Sequence, residues 1–117
     1  MARPDPEVLE RRVEILRAIL SRDENDEVSW FGLGRALLEL DRAAEARDAF
    51  SQALRIKPDY TAAYRDLGRA SLESGDAPAA RETLERGIEV AERTGDLQTR
   101  REMEVFLKRA RRRPGSR

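Results

Sequence analysis

Apolar residues recur every three or four positions along most of this chain, which is the spacing of an amphipathic α-helix. Near the amino terminus Leu9, Val13 and Leu16 follow this spacing, and near the carboxyl terminus Met103 and Phe106 do so. Charged residues fill most of the positions between them. The pattern predicts an all-α protein with six helices, over residues 6–21, 27–40, 43–56, 61–74, 77–93 and 97–112.

Helix-terminating residues separate these segments. Asp41 divides the second segment from the third, and its side chain is suited to cap the following helix. Pro58 ends the third segment, because a proline disfavours helical backbone in the residue before it. Gly75 and Gly95 each precede an aspartate, the order expected for a left-handed helix end followed by an N-cap. We therefore expect consecutive helices to be joined by tight turns.

One stretch of sequence occurs twice in this chain. Residues 33–39 and 67–73 share the order Leu-Gly-Arg-Ala-x-Leu-Glu and lie 34 positions apart. The similarity extends outward, since Trp30 matches the large residue Tyr64 in the same register. A unit that recurs at about 20 to 50 residues implies stacked copies of one helical hairpin rather than a closed globule.

The repeated residues resemble the tetratricopeptide repeat (TPR) family. The first copy carries the family pattern at Trp30, Leu33, Gly34, Ala46, Phe50, Ala53 and Pro58, with Leu37 where the family usually has a tyrosine. The second copy is a looser match, with Tyr64 and Gly68 in place and Ser71 where the family has an aromatic residue. The resemblance implies a TPR-like right-handed solenoid of antiparallel helix pairs, with about six helices and a capping helix at each end.

This resemblance predicts one TPR-like domain over residues 1–117 and a division of the chain into five parts. These are an N-terminal helix that is half of a degenerate repeat (5–21), a first repeat (27–60), a second repeat (61–94), a C-terminal capping helix (96–112) and a tail (113–117).

Each repeat has a glycine in the middle of its first predicted helix, Gly34 in one and Gly68 in the other. Glycine at such a position costs about 1 kcal/mol relative to alanine. We expect the compensation to be a close approach of the paired helix, which presents the small residues Ala46 and Ala80. Trp30 and Phe50 are expected to fill the volume beside this crossing.

The composition argues against an enzyme, a cofactor and a metal site. The chain contains no histidine and no cysteine, which removes the commonest general base and the usual zinc ligands. Its carboxylates are scattered over helix faces beside arginines, as in solvated surfaces. We therefore expect a non-catalytic protein with no cofactor and no metal.

The charge pattern argues against nucleic-acid and membrane partners. The 23 basic and 23 acidic residues balance, so no global field attracts a polyanion or an anionic membrane. The segment 108–117 is basic, but no aromatic residues interleave with its arginines to stack on bases. Its cations suit the carboxyl end of a helix. No apolar run is long enough to span a bilayer and no secretory segment is evident, which predicts a soluble, cytoplasmic protein.

The resemblance implies a concave groove in which family members bind extended peptides, lined by the first helix of each pair. Helical spacing from the expected core positions then gives the residues that face it. These are Val28, Phe31, Arg35, Leu38, Glu39, Ala62, Arg65, Arg69, Leu72 and Glu73. We therefore expect a protein-interaction scaffold that binds a peptide or protein segment in this groove.

Two details of the groove have alternative interpretations. Phe31 either faces the groove or packs beneath the first helix of the chain. The arginines of the set either bind carboxylates of a partner or pair with Glu39, Asp66 and Glu73 of the chain itself.

A different class of function is self-association. Val8 and Ile15 lie on the flank of the first predicted helix, and a terminal helix without a polar outer face favours pairing with a second copy. The alternative interpretation is therefore a structural module that forms a homo-oligomer through its terminal helices.

Overall fold

The computed structural model describes residues 3–113, and within that range the chain forms six α-helices and no strand. The helices are α1 (Pro6–Arg22), α2 (Glu27–Glu39), α3 (Ala43–Ile56), α4 (Thr61–Glu73), α5 (Ala77–Thr94) and α6 (Leu97–Arg112). Each predicted segment begins and ends within one residue of an observed helix, so the six predicted helices are confirmed. Of the predicted tail (113–117), residues 114–117 lie outside the described residues.

The six helices form two layers. In one layer α4 lies between α2 and α6 and contacts both of them. The other layer consists of α1, α3 and α5, and every helix contacts the helix that follows it in the chain. This alternation of antiparallel helices is a helical-repeat architecture, which confirms the predicted fold class.

Aspartate residues begin four of the helices, and each side chain accepts a hydrogen bond from a backbone N–H of the first turn. These residues are Asp5, Asp26, Asp76 and Asp96. Gly75 and Gly95 have φ values of +83° and +78°, the left-handed conformation expected where a helix ends in glycine. The predicted stop and start signals at these two turns are confirmed.

The turn between α2 and α3 differs from its prediction. The N-cap position of α3 belongs to Arg42, whose side chain makes no capping hydrogen bond. Asp41 instead takes a φ of +59°, a conformation that aspartate tolerates better than most residues. The predicted helix break at Asp41 is therefore correct, and its predicted role as a cap is wrong.

Buried apolar residues fill the space between the layers in two clusters. The first cluster lies among α1, α2 and α3, and Phe50 at its centre has no exposed surface. The second lies among α4, α5 and α6, where Met103 and Leu107 of α6 pack with Leu84 of α5. The last helix is thus an integral part of the core rather than a detached end.

The mid-helix glycines allow large side chains to approach the helix backbone. A β-carbon at Gly34 would lie 2.5 Å from Cε1 of Phe50 on α3, which is closer than real atoms pack. Gly68 stands in the same relation to Leu84 on α5. The predicted close approach is confirmed, and so is the position of Phe50 beside it. The nearest atoms are those of Phe50 and Leu84 rather than those of the two alanines.

Trp30 packs, partly buried, against the first core cluster, which contains Ala46 and Phe50. It is half-buried at the turn between α1 and α2, where its Nε1–H donates a 2.8 Å hydrogen bond to the backbone oxygen of Glu24. Its ring lines a shallow surface hollow with Leu20 and Leu33. Trp30 therefore holds the loop between α1 and α2 through its indole N–H, in addition to packing against the first cluster.

Candidate functional site

One face of the α2, α4 and α6 layer contains an open cleft of about 640 Å³. This volume is in the range of sites that hold a small ligand or a few side chains of a peptide. The lining residues are Arg35 of α2, Arg65, Asp66, Arg69 and Glu73 of α4, and Glu102, Val105, Phe106 and Arg109 of α6. We call it the α2–α4–α6 cleft.

Asp66 is the buried acid of the cleft, with a side chain only 8% exposed. A buried carboxylate requires hydrogen-bonded cations to compensate for its lost hydration. Arg65 provides them, since its Nε donates to Oδ1 at 2.9 Å and its Nη2 donates to Oδ2 at 3.3 Å. Arg35 of α2 adds a third nitrogen at 3.8 Å from Oδ2.

Arg65 also connects two walls of the cleft. Its Nη1 donates a 3.0 Å hydrogen bond to Oε1 of Glu102, so one guanidinium of α4 holds a carboxylate on α6. The hydrogen bond to Asp66 is the main cause that raises the pKa of Arg65 above its ordinary value, and Glu102 adds to it against the effect of burial. Arg65 is therefore a charged residue in which each of the three guanidinium nitrogens already has a carboxylate partner.

The other arginines of the cleft keep free donors. Arg69 uses its Nε to bind Glu73 at 2.8 Å, one turn further along the helix, and the structure gives its terminal nitrogens no partner among residues 3–113. Arg35 is more than half exposed and reaches only one distant oxygen. Arg109 makes no ion pair within the same range. The cleft thus offers several guanidinium N–H groups to a ligand.

An apolar wall lies beside these cations. Val105 of α6 is 52% exposed, a high value for a valine in the middle of a helix. The neighbouring Phe106 is half-buried, and the guanidinium carbon of Arg109 lies 5.3 Å from its ring centre. Such a cation–π contact holds the arginine over the ring while its N–H groups point outward. The cleft therefore combines an apolar patch with cationic hydrogen-bond donors.

The structure brings four of the ten predicted groove residues together in this cleft. They are Arg35, Arg65, Arg69 and Glu73. Leu38 and Leu72 are placed elsewhere, because they are 4% and 5% exposed and pack in the two core clusters. The expectation that these two leucines face the groove is corrected on this ground.

The remaining predicted residues lie beyond the cleft lining. Val28 is 64% exposed in the first turn of α2, Ala62 is half-buried in the first turn of α4, and Glu39 is half-buried at the end of α2. Val28 precedes Arg35 by two turns of α2, and Ala62 precedes Arg65 by about one turn of α4. They therefore extend the face of the cleft toward the amino ends of α2 and α4.

Phe31 packs between helices rather than into the open cleft. Its ring centre is 5.8 Å from that of Phe50 on α3 and 4.9 Å from that of Tyr60 at the start of α4. Arg35 lies over its outer face at 5.8 Å. The aromatic contacts of Phe31 are thus with α3 and α4 rather than with α1, and the residue supports the position of Arg35.

The arginines pair with carboxylates of the chain, as one of the two interpretations held. Their partners include Asp66 and Glu73, and Glu39 makes no ion pair among residues 3–113. The partner that the sequence did not suggest is Glu102, which comes from α6.

The contribution of α6 is the part of the site that sequence reasoning missed. Glu102, Val105, Phe106 and Arg109 line the cleft from a helix that lacks the repeated glycine. The sequence did contain a signal for these α6 residues, namely their distance from the start of the helix. Arg109 lies as far beyond its N-cap, Asp96, as Glu73 lies beyond Tyr60.

Two negative findings apply to residues 3–113. No group of three or more histidine, cysteine, aspartate or glutamate side chains in this range is arranged to hold a metal ion. None of the described helices combines the length and apolar character needed to cross a membrane.

Two layers of alternating antiparallel helices around an open cleft define a helical-repeat protein. Models of the tetratricopeptide repeat match residues 13–61 and residues 42–99. The chain belongs to the tetratricopeptide repeat family, as its sequence pattern predicted.

Known proteins of similar size support this assignment. The TPR repeat-containing protein PA0015 of Pseudomonas aeruginosa is 32% identical over 97 residues, which is 83% of this chain and 92% of that protein. The solution structure of BPP2914 from Bordetella parapertussis has 32% identity and a TM-score of 0.74, covering 86% of this chain and 87% of that one.

A third similar structure contains a bound partner. The TPR2B domain of yeast Sti1, solved as a complex with pHsp70, matches with a TM-score of 0.83 at 19% identity. The match covers 89% of this chain and 83% of that chain. At this level of identity the similarity shows a shared fold.

Proposed function

We propose that this chain is a non-catalytic protein-interaction module that binds a peptide or protein segment in the α2–α4–α6 cleft. The observation that carries the proposal is the composition of the cleft wall. An exposed apolar patch at Val105 and Phe106 lies beside guanidinium groups that retain free donors. Surfaces of this kind bind protein segments, since apolar contact supplies affinity and a few charged hydrogen bonds supply orientation.

The bound segment would carry a carboxylate next to an apolar side chain. Arg35, Arg69 and Arg109 present the donors, and a carboxylate accepts from guanidinium groups more strongly than a neutral oxygen does. Arg65 has a different role, because each of its guanidinium nitrogens is already paired with Asp66 or Glu102. It positions the walls of the cleft and keeps the buried acid neutralised.

The predicted residues outside the cleft fit an extended ligand. Val28 and Ala62 lie toward the amino ends of α2 and α4, and a segment longer than the cleft would continue over them. Phe31 supports this surface through Arg35 and Tyr60. Binding of modest affinity is expected, since an array of this length offers a short contact surface.

The test uses partners captured from a lysate of the source organism. Wild-type protein and the double variant Arg69→Glu/Arg109→Glu are immobilised at equal density, with Arg93→Glu as a control on the exposed end of α5. Specific partners should be captured by wild type and by the control and lost from the double variant. Equal capture by all three proteins would overturn the assignment of the cleft as the binding site.

A further inference from the structure

The outer side of α1 is an uncovered helix face. We call the surface formed by Val8, Arg11, Arg12, Ile15, Leu16 and Ile19 the α1 face. Val8 and Ile15 are 51% and 52% exposed, and Ile19 is 40% exposed. The residues from Val8 to Leu16 enclose a shallow surface groove, with Glu7 at its amino end. Large aliphatic residues on one helix face are normally covered in a folded protein.

The equivalent positions of α3 show how deeply this surface is buried elsewhere in the fold. Thirty-four residues after Ile15, Leu16 and Ile19 come Ala49, Phe50 and Ala53. Those α3 residues are 2%, 0% and 0% exposed, in a helix that packs against both α2 and α4. The α1 face occupies the same positions of the repeat in a helix that has α2 alone as a packing neighbour, and within it Leu16 is half-buried beside Gly32 of α2.

The contacts of α1 agree with this comparison. Each of α3 and α5 packs between two helices of the other layer. Within residues 3–113, α1 packs only against α2. The shape that fits beside it is therefore a helix lying roughly antiparallel, as α2 lies beside α3.

The charges of the α1 face favour some binding partners over others. Arg11 and Arg12 lie in the middle of it and make no ion pair within the described range, whereas the neighbouring Arg17 lies 3.6 Å from Glu45. Two copies of the face packed in parallel about a two-fold axis, or antiparallel about an axis near residues 11 and 12, would bring these arginines opposite one another. Like charges opposed in this way are unfavourable.

The opposite end of a second copy of the protein is no better suited to cover the α1 face. The last helix, α6, exposes Arg101, Lys108 and Arg112 beside the acidic Glu104, so basic residues predominate among these exposed charges. A partner with acidic residues at the edges of its apolar stripe would instead pair with both arginines. Charge complementarity thus favours another protein over a second copy of this chain.

We propose that the α1 face docks an amphipathic helix of a partner protein, with aliphatic residues on Val8, Ile15 and Ile19 and acidic residues on Arg11 and Arg12. This surface is separate from the α2–α4–α6 cleft and goes beyond the proposed function. It gives the chain two interaction sites, one for an extended segment and one for a helix.

The test uses two designed 21-residue helical peptides as probes. Both carry leucines on one face, and the flanking positions are glutamate in the acidic probe and lysine in the basic probe. Binding is measured by calorimetry, and the site is located by backbone amide shifts in the NMR spectrum. We expect the acidic probe to bind, with shifts centred on α1, and the basic probe to bind about tenfold more weakly or not at all.

Variants assign the binding to the α1 face. Ile15→Glu and the double variant Arg11→Glu/Arg12→Glu should each weaken the acidic probe by about tenfold or more. Leu97→Glu, at an exposed apolar residue outside both surfaces, should leave it unchanged, and a thermal melt checks that each variant folds.

Three outcomes would overturn this inference. One is failure of the acidic probe to bind. Another is loss of binding in Arg69→Glu/Arg109→Glu but not in Ile15→Glu, which would assign the probe to the cleft. The last is concentration-dependent dimerisation of the wild type in light scattering that Ile15→Glu abolishes. Failure of the probe leaves lysate capture by the cleft unaffected, so the two proposals are tested separately.

Discussion

Arg65 donates a 3.0 Å hydrogen bond to Glu102, and this bond joins α4 to α6 beside the cleft. The same guanidinium binds both oxygens of the buried Asp66. One side chain therefore neutralises a buried charge and holds two walls of the site at a fixed separation.

Replacing this arginine should reduce stability. Arg65→Ala leaves Asp66 buried with only the distant Arg35, and we expect the free energy of unfolding to fall by about 1–3 kcal/mol. Urea denaturation measures the loss. Arg69→Ala is the matched control, because its pair with Glu73 is partly exposed and within one helix, and should cost about 0.5 kcal/mol or less. Equal costs for the two variants would contradict the role given to Arg65.

Two glycines of α2 should respond to alanine in opposite directions. Gly34→Ala places a β-carbon against the fully buried ring of Phe50 and should destabilise the protein by about 1–3 kcal/mol. Gly32→Ala places one at 3.5 Å from Leu16, an ordinary contact, and should stabilise the helix by up to about 1 kcal/mol. Thermal and urea unfolding of both variants measure the difference. A Gly34→Ala protein as stable as the wild type would refute the packing described here.

The hydrogen bonds of Asp96 predict a loss of stability in acid. Its Oδ2 accepts a 2.6 Å hydrogen bond from Thr61, which is the main cause that lowers the pKa of Asp96 below its ordinary value of 3.8, and Thr99 adds to it. A pKa lowered by folding means that the ionised carboxylate stabilises the fold above about pH 4. This contribution is lost as the pH falls through the pKa of the folded state.

Urea denaturation between pH 6 and pH 2 tests this effect. The stability of Asp96→Asn should depend less on pH in that interval than the stability of the wild type, since the asparagine does not titrate. Asp48→Asn is the control, because Asp48 is exposed. A profile for Asp96→Asn as steep as that of the wild type would count against the pKa shift.

Helix positions could be predicted because the turn residues are local signals. Proline, glycine and aspartate fix where a helix stops and starts through their own backbone preferences, as the φ values of Gly75 and Gly95 show. The 34-residue repeat then gives the pairing of neighbouring helices. These properties require no knowledge of distant contacts.

The parts of the site that the sequence did not predict depend on distant contacts. The cleft takes Glu102 and Phe106 from α6, and α5 is four residues longer than α3, 18 against 14, so α6 falls out of the 34-residue register. The burial of Leu38 and Leu72 is likewise decided by neighbouring helices. Helical spacing alone places a residue on a face and does not say what covers that face.

Val105 should be needed for binding and not for folding. Its side chain is 52% exposed, so Val105→Glu should change the free energy of unfolding by no more than about 0.5 kcal/mol. The added carboxylate would repel an acidic segment and remove the apolar patch, and capture of the cleft partners should be lost. Capture by this variant at the wild-type level would show that the α6 wall of the cleft takes no part in binding.

The most direct measurement of the central claim is site-specific photo-crosslinking in the source organism. A photoreactive phenylalanine analogue is placed at Val105 in the α2–α4–α6 cleft or at Glu89 on the exposed side of α5. We predict discrete crosslinked protein products from position 105 that are absent from position 89. Products from both positions alike, or from position 89 only, would contradict the claim that this cleft binds the protein's partner.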